Sequence, residues 1–104
     1  MNKKSRQKIR AYIANLFRSH QDIVWCDYWS EKEQDVELKS ALKIVKNSYA
    51  RDPDVVGHYY NATRKLQNNK YETVLEREVL EAFRDVASRI LEEAEYKAMI
   101  NRQI

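Results

Sequence analysis

Between Tyr71 and Met99 runs a stretch with no Gly or Pro and one unbroken hydrophobic period. Leu75, Val79, Phe83, Val86, Ile90 and Ala94 recur at spacings of three and four, and Leu80, Ala87, Leu91 and Ala98 widen the stripe on one side. Such spacing places these side chains on one broad face of an α-helix. Asp85–Arg89 and Glu93–Lys97 are acid-first pairs four residues apart, which support an exposed helical face. At about 1.5 Å per residue the helix is a rod of about 40–45 Å. A rod that long cannot bury so wide a face alone, so the rest of the chain must cover it. Its length beyond the shorter helices further suggests that a second copy buries part of it, giving a homodimer through the 71–99 helix.

The covering elements follow in chain order. Residues 1–5 read as a flexible basic arm. From Arg6 to about His20, Ile9, Tyr12, Ile13, Leu16 and Phe17 keep the spacing of an amphipathic helix. Gln21 to Trp29 holds both tryptophans and reads as an ordered connector. Ser30-Glu31-Lys32-Glu33 has the form of a capping box and starts a second helix running to about Ala50, with Leu38, Ala41, Leu42, Val45 and Tyr49 inward. Asp52-Pro53-Asp54 starts a third helix, to about Gln67. Asn68-Asn69 suits the left-handed residue that ends it, and residues 101–104 read as a flexible tail. The expected fold is all-α: a small antiparallel four-helix bundle with a long C-terminal helix, one domain over 1–104. One Gly and one Pro in 104 residues agree with helices joined by short links.

Charge narrows the range of partners. The net charge is +3, but the signs alternate by block. Residues 1–20 carry six bases and no acid, whereas 21–38 carry six acids and only Lys32. Residues 39–70 carry seven bases against Asp52 and Asp54, and 71–104 carry eight acids against five bases. Blocks of opposite sign lie side by side in an antiparallel bundle, so much of the basic charge is answered within the molecule. The candidate phosphate-binding residues are Lys3 and Lys4 of the arm, Arg10, and the Lys39, Lys43, Lys46 row of the second helix. Such rows also occur as solvated helix faces. Trp25, Tyr28 and Trp29 either plug one end of the bundle or anchor a protein partner, since aromatic residues dominate interface hot spots.

Little in the sequence suggests catalysis. The only histidines, His20 and His58, lack the Glu-x-x-His partners of a bundle di-metal site. His20, Asp22 and Cys26 make a loose set for zinc, and no metal or other cofactor is expected. Cys26 has no basic neighbour in sequence to lower its pKa and reads as a small core hydrophobe. A single Gly cannot build a phosphate-cradling loop. One motif stands apart. Arg51-Asp-Pro-Asp-Val-Val-Gly-His58-Tyr-Tyr60 resembles the Arg-polar-x-His motif of the helical HEPN ribonucleases, which a Tyr two residues on often extends. The resemblance implies a dimer with a composite site, Arg51 holding the scissile phosphate and His58 aiding attack by the 2′-oxygen. Read without it, His58 is a partly buried helix residue and Arg51 a base at a helix C-terminus.

The leading expectation is a non-enzymatic helical interaction protein, a small regulator, inhibitor or assembly adaptor in the style of phage or mobile-element accessory proteins. Nucleic-acid binding through the Lys/Arg set comes second, and the HEPN-like ribonuclease third. The basic N-terminus lacks the apolar core of a signal peptide, and no apolar run is long enough to cross a membrane. With a single cysteine, the expected location is cytoplasmic.

Overall fold

The computed structural model describes residues 1–19, 24–51 and 54–103. Among them it contains five helices and no strand: α1 (Lys3–Ser19), α2 (Val24–Lys32), α3 (Val36–Arg51), α4 (Val55–Gln67) and α5 (Val74–Gln103). The all-α bundle with a long final helix is therefore observed, with one helix more than the sequence suggested. Among the described residues, no helix is long and apolar enough to cross a membrane.

Contacts between helices fix their directions. Arg10 pairs with Asp85 at 3.1 Å and Arg18 with Glu93 at 2.9 Å, so α1 and α5 run parallel. Ser5 meets Asp35, and the Tyr49 hydroxyl donates to the Leu16 carbonyl, so α3 runs the same way. The short helices run back between them. Trp29 of α2 stacks on Tyr12 while Glu33 just beyond reaches Lys8, and α4 returns along α5 with His58 against Phe83. The order along the chain remains up and down. Ile9, Ile13 and Leu16 of α1, Leu38, Leu42 and Val45 of α3, and Val79 and Phe83 of α5 are buried together at the centre. Each such side chain contributes about 1.5–3 kcal/mol relative to exposure.

Several boundaries move, each for a local reason. Residues 3–5, expected as part of a flexible arm, are helical and belong to α1. The Asn2 side chain accepts a bond from the Ser5 amide, and the α-amino group of Met1 lies 2.7 Å from Glu37 and 2.9 Å from Glu78. The stretch read as a connector forms α2 from Val24, and Ser30 lies inside it. The capping function expected of Ser30 falls to Asp35, whose Oδ1 accepts from the amides of Glu37 and Leu38. Glu33 is drawn instead to the Tyr12 hydroxyl and Lys8. Asp54 caps α4 by accepting from the Val56 amide. Asp52 and Pro53 lie outside the described residues. Asn68 ends α4, and Asn69 takes the left-handed conformation with φ 52°.

At the start of α5, the Glu76 amide donates to Thr73 Oγ1 while the Glu76 carboxylate accepts from the Glu72 amide. One of the amides that a helix start leaves open, that of Glu76, is thus satisfied, and the second bond ties the residue before the cap to the first turn. The helix continues to Gln103 and takes in residues 101–103 of the expected tail, and Ile104 lies outside the described residues. The acids Asp85 and Glu93, expected to brace α5 through Arg89 and Lys97, pair instead with Arg10 and Arg18 across to α1, Asp85 also meeting its neighbour Arg84. From Ala94 to Arg102 every side chain is exposed. Phe83 and Ala87 are buried against α1, α3 and α4, so the expected cover of the α5 stripe is largely supplied within one chain.

Candidate functional site

On the α1–α2 side the chain builds a run of four rings. Tyr12 stacks on Trp29 with centroids 4.9 Å apart, Trp29 stands 6.4 Å from Trp25, and Trp25 meets Tyr28 edge-on at 5.5 Å. The ammonium of Lys32 lies 5.4 Å from the Tyr28 ring centre, within cation–π range. The sequence places these groups together because Trp25, Tyr28, Trp29 and Lys32 stand at i, i+3, i+4 and i+7 of one helix. Cys26, about 100° round α2 from Trp25, is buried and holds that helix to the core.

The rings differ in depth. Tyr12 and Trp29 are half-buried against the core, and the Tyr12 hydroxyl donates to the Glu33 carboxylate. Burial first, and then the bond to Glu33, pushes the Tyr12 phenol up to about 12, so it stays protonated and keeps donating. Trp25 is 42% exposed and Tyr28 49%. Thus Trp29 packs, as a sealing residue would, while Trp25 and Tyr28 present themselves to solvent. Tyr12 and Lys32 are members of this surface that the sequence reading did not place there. For Lys32 the i+7 spacing was the available signal, whereas Tyr12 needs the α1–α2 contact.

The basic residues do not form one surface. Lys39, Lys43 and Lys46 share a flank of α3, but Lys46 is held by Asp27 at 2.7 Å, and Arg10 is paired with Asp85. Lys3 and Lys4 are exposed on the first turn of α1. A groove of about 510 Å³ runs between α1 and α5 over Ala11, Ala14 and Val86. Two of its three cations, Arg10 and Arg18, are already answered by acids of α5, and Arg89 is the third. A different basic cluster appears where the end of α3 meets α4 and α5: Arg51, Lys65 and Lys70 line a cleft of about 230 Å³ with Asn47, Ser48 and Glu76. Lys65 and Lys70 flank the Asn68-Asn69 turn, and only the α4–α5 hairpin brings them to Arg51.

Arg51 and His58 line a second, smaller cavity beside that cleft, of about 50 Å³. Arg51 is exposed, whereas His58 is 5% exposed. The imidazole lies parallel to the Phe83 ring at 4.7 Å and parallel to Tyr49 at 6.0 Å, with Phe17 at its edge. The two residues are therefore neighbours, as the HEPN resemblance requires, but the imidazole is clasped by three aromatic rings.

No group of acids, histidines and cysteine among the described residues is placed to hold a metal ion. His20 and Asp22 of the loose zinc set lie outside those residues. Burial pushes the Cys26 thiol up to about 11, with Asp27 adding and Lys46 subtracting. The thiolate that nucleophilic chemistry needs is scarce near neutral pH. Compared with known proteins, the chain matches no family model, no curated protein and no solved structure.

Proposed function

We propose that this protein is a non-enzymatic interaction module, a small regulator, inhibitor or assembly adaptor, that grips a protein partner through the ring surface of α1 and α2. The observation that carries this reading is the exposure of Trp25 and Tyr28 beside rings rooted in the core. A large aromatic side chain buries about 150–250 Å², and close to half of that area is still open at each of these two positions. At about 25 cal/mol per Å², covering it supplies roughly 2–3 kcal/mol per ring. Because Trp29 and Tyr12 already hold the surface in shape, little ordering cost is left for binding. The fitting partner offers an apolar groove or helix face and an acceptor for Lys32.

Affinity capture with the wild-type chain, followed by calorimetry on the purified partner, tests this. Trp25→Ala is expected to weaken binding at least about ten-fold, the usual scale for an interface anchor, and Lys43→Ala to leave it unchanged. Equal binding by wild type and the Trp25→Ala, Tyr28→Ala double variant would refute the reading.

The cleft of Arg51, Lys65 and Lys70 favours a second reading, in which the protein binds nucleic-acid phosphates. Three cations converge there without an ion-pair partner among the described residues. A gel shift on mixed single- and double-stranded DNA and RNA at low and high salt would then show salt-sensitive retardation, lost in Arg51→Glu. An absence of retardation at low salt would end that reading. The RNA lanes, followed over time, also report whether any cleavage depends on His58.

A further inference from the structure

The stripe that packs α5 into the bundle changes character where the other helices stop. Ile90 and Leu91 are half-buried, and the positions that continue the stripe, Ala94 and Ala98, are small and exposed. Large apolar side chains then reappear elsewhere on the helix. Tyr96 is 65% exposed, Met99 53% and Ile100 41%. At about 100° per residue Tyr96 and Met99 point about 140–160° away from Phe83, close to the opposite side of the rod, while Ile100 lies about 100° away, in line with the buried Ala82. Tyr96 and Met99 therefore do not continue the core.

From the remaining side chains we infer that this second face pairs with the same face of a second copy, antiparallel, as a short two-helix seam. Glu92, Tyr96 and Met99 follow the four-three spacing of such a seam. Glu95 and Arg102, seven residues apart, line one edge, and Glu93 and Ile100 line the other. Glu93 is already engaged by Arg18 of its own chain. Glu92, Glu95 and Arg102 have no ion pair among the described residues.

With a two-fold axis between Lys97 and Ala98, Tyr96 packs on the partner's Met99, and Glu95 faces the partner's Arg102. Symmetry makes each contact twice. A parallel pair would set Glu92 against the partner's Glu92 and leave Arg102 without an acid. The register also fits the length of the projection. Residue 103 of one chain comes level with the partner's Glu92, where that bundle begins, so the whole segment overlaps and the bundles do not collide. About 18 Å of paired helix lies at the small end of stable interfaces, so the dimer forms in the micromolar range. This proposal is independent of the ring surface on α2, which lies on other helices and stays open in the dimer.

Sedimentation of the full chain from low to high micromolar concentration tests the inference. The wild-type mass is expected to rise from 12.5 kDa toward twice that value. Glu95→Lys alone and Arg102→Glu alone are each expected to self-associate about ten-fold more weakly, because both symmetric pairs become repulsive. Mixed in equal amounts, the two variants recover the dimer. In the mixed pair the introduced lysine of one chain faces the introduced glutamate of the other, and the second contact is the native Glu95–Arg102 pair. Both sites are exposed, so the bundle folds in either variant. Three results would each overturn the proposal: a wild type monomeric at high micromolar concentration, single variants that associate like wild type, or a mixture that stays monomeric.

Discussion

The two halves of α5 belong to one helix with one composition, yet they live in different surroundings. From Val74 to Ile90 the helix is clamped by α1, α3 and α4, and Val79, Phe83 and Ala87 are buried. From Ala94 onward every described side chain is exposed. The difference shows that a helix this long is stabilised locally rather than as a unit. The first half owes its stability to tertiary packing. The second rests on propensity and on continuation from a turn already formed, which is worth far less.

The largest expected contrast comes from ring deletion in each half. Phe83 touches Phe17 at 6.0 Å and His58 at 4.7 Å between ring centres, and almost none of it reaches solvent. Phe83→Ala should cost about 3–5 kcal/mol, a large share of the roughly 5–15 kcal/mol that a domain of this size has. Tyr96→Ala should cost less than about 0.5 kcal/mol in dilute solution, as exposed substitutions do. Urea titration of both variants at low micromolar concentration reads the difference, and comparable losses would refute the division of the helix. Amide exchange provides an independent view. Protection should approach the global limit near Phe83 and fall toward the exchange rate of an open chain beyond Ala94.

How far the sequence revealed the molecule follows the same division between local and non-local causes. The α5 spine, the α3 core positions and the Asn69 turn were legible because each rests on residues adjacent along one helix or turn. α2 was not, because nine residues with little periodicity become a helix through stacking on Tyr12, which a linear reading cannot place. Ser30 looked like a cap by spacing, but Glu33 was drawn away to Tyr12 and Lys8 and Asp35 took the role. Asp85 and Glu93 suited bonds along α5 equally well until α1 lay beside it. For the candidate site, Trp25, Tyr28 and Trp29 stood out in advance as aromatic anchors, but the helical spacing that aligns them with Lys32 and their different depths did not. Exposure is a property of the neighbours, and the neighbours come from distant parts of the chain. The Arg51–Lys65–Lys70 cleft was illegible for the same reason.

Acid titration sharpens the comparison at a smaller scale. In the clamped half, burial tends to raise the Glu78 carboxyl, but bonds to the α-amino group of Met1 and to Arg6 outweigh it, and the group is held below the usual glutamate value. A carboxyl lowered on folding contributes stability above its unfolded pKa, and that contribution is lost as the pH falls through the folded value. Glu78→Gln should therefore be less stable than wild type at neutral pH. The gap should close as the medium becomes acid enough to protonate Glu78. Glu95→Gln, at an exposed position of the projecting half, should leave stability at neutral pH unchanged within about 0.5 kcal/mol when the protein is dilute. Denaturation midpoints against pH check both variants, and a pH-independent effect of Glu78→Gln would show that the ion pairs are not its source.

The smallest effect is the most specific to the division of α5. Ala87 and Ala98 are eleven residues apart on the same stripe, and glycine costs any helix interior about 1 kcal/mol relative to alanine. At Ala87, buried against the other helices, the helix cannot relax without opening the core, and a buried methyl is lost as well. Ala87→Gly should therefore lower global stability by about 2 kcal/mol. At Ala98 the same propensity cost falls on a segment that frays without disturbing the bundle. Ala98→Gly should reduce helical circular dichroism slightly at low concentration and leave the urea midpoint unchanged within error. If instead it shifts the midpoint as much as Ala87→Gly does, the last turns of α5 unfold together with the core, and the projecting half is part of the cooperative unit.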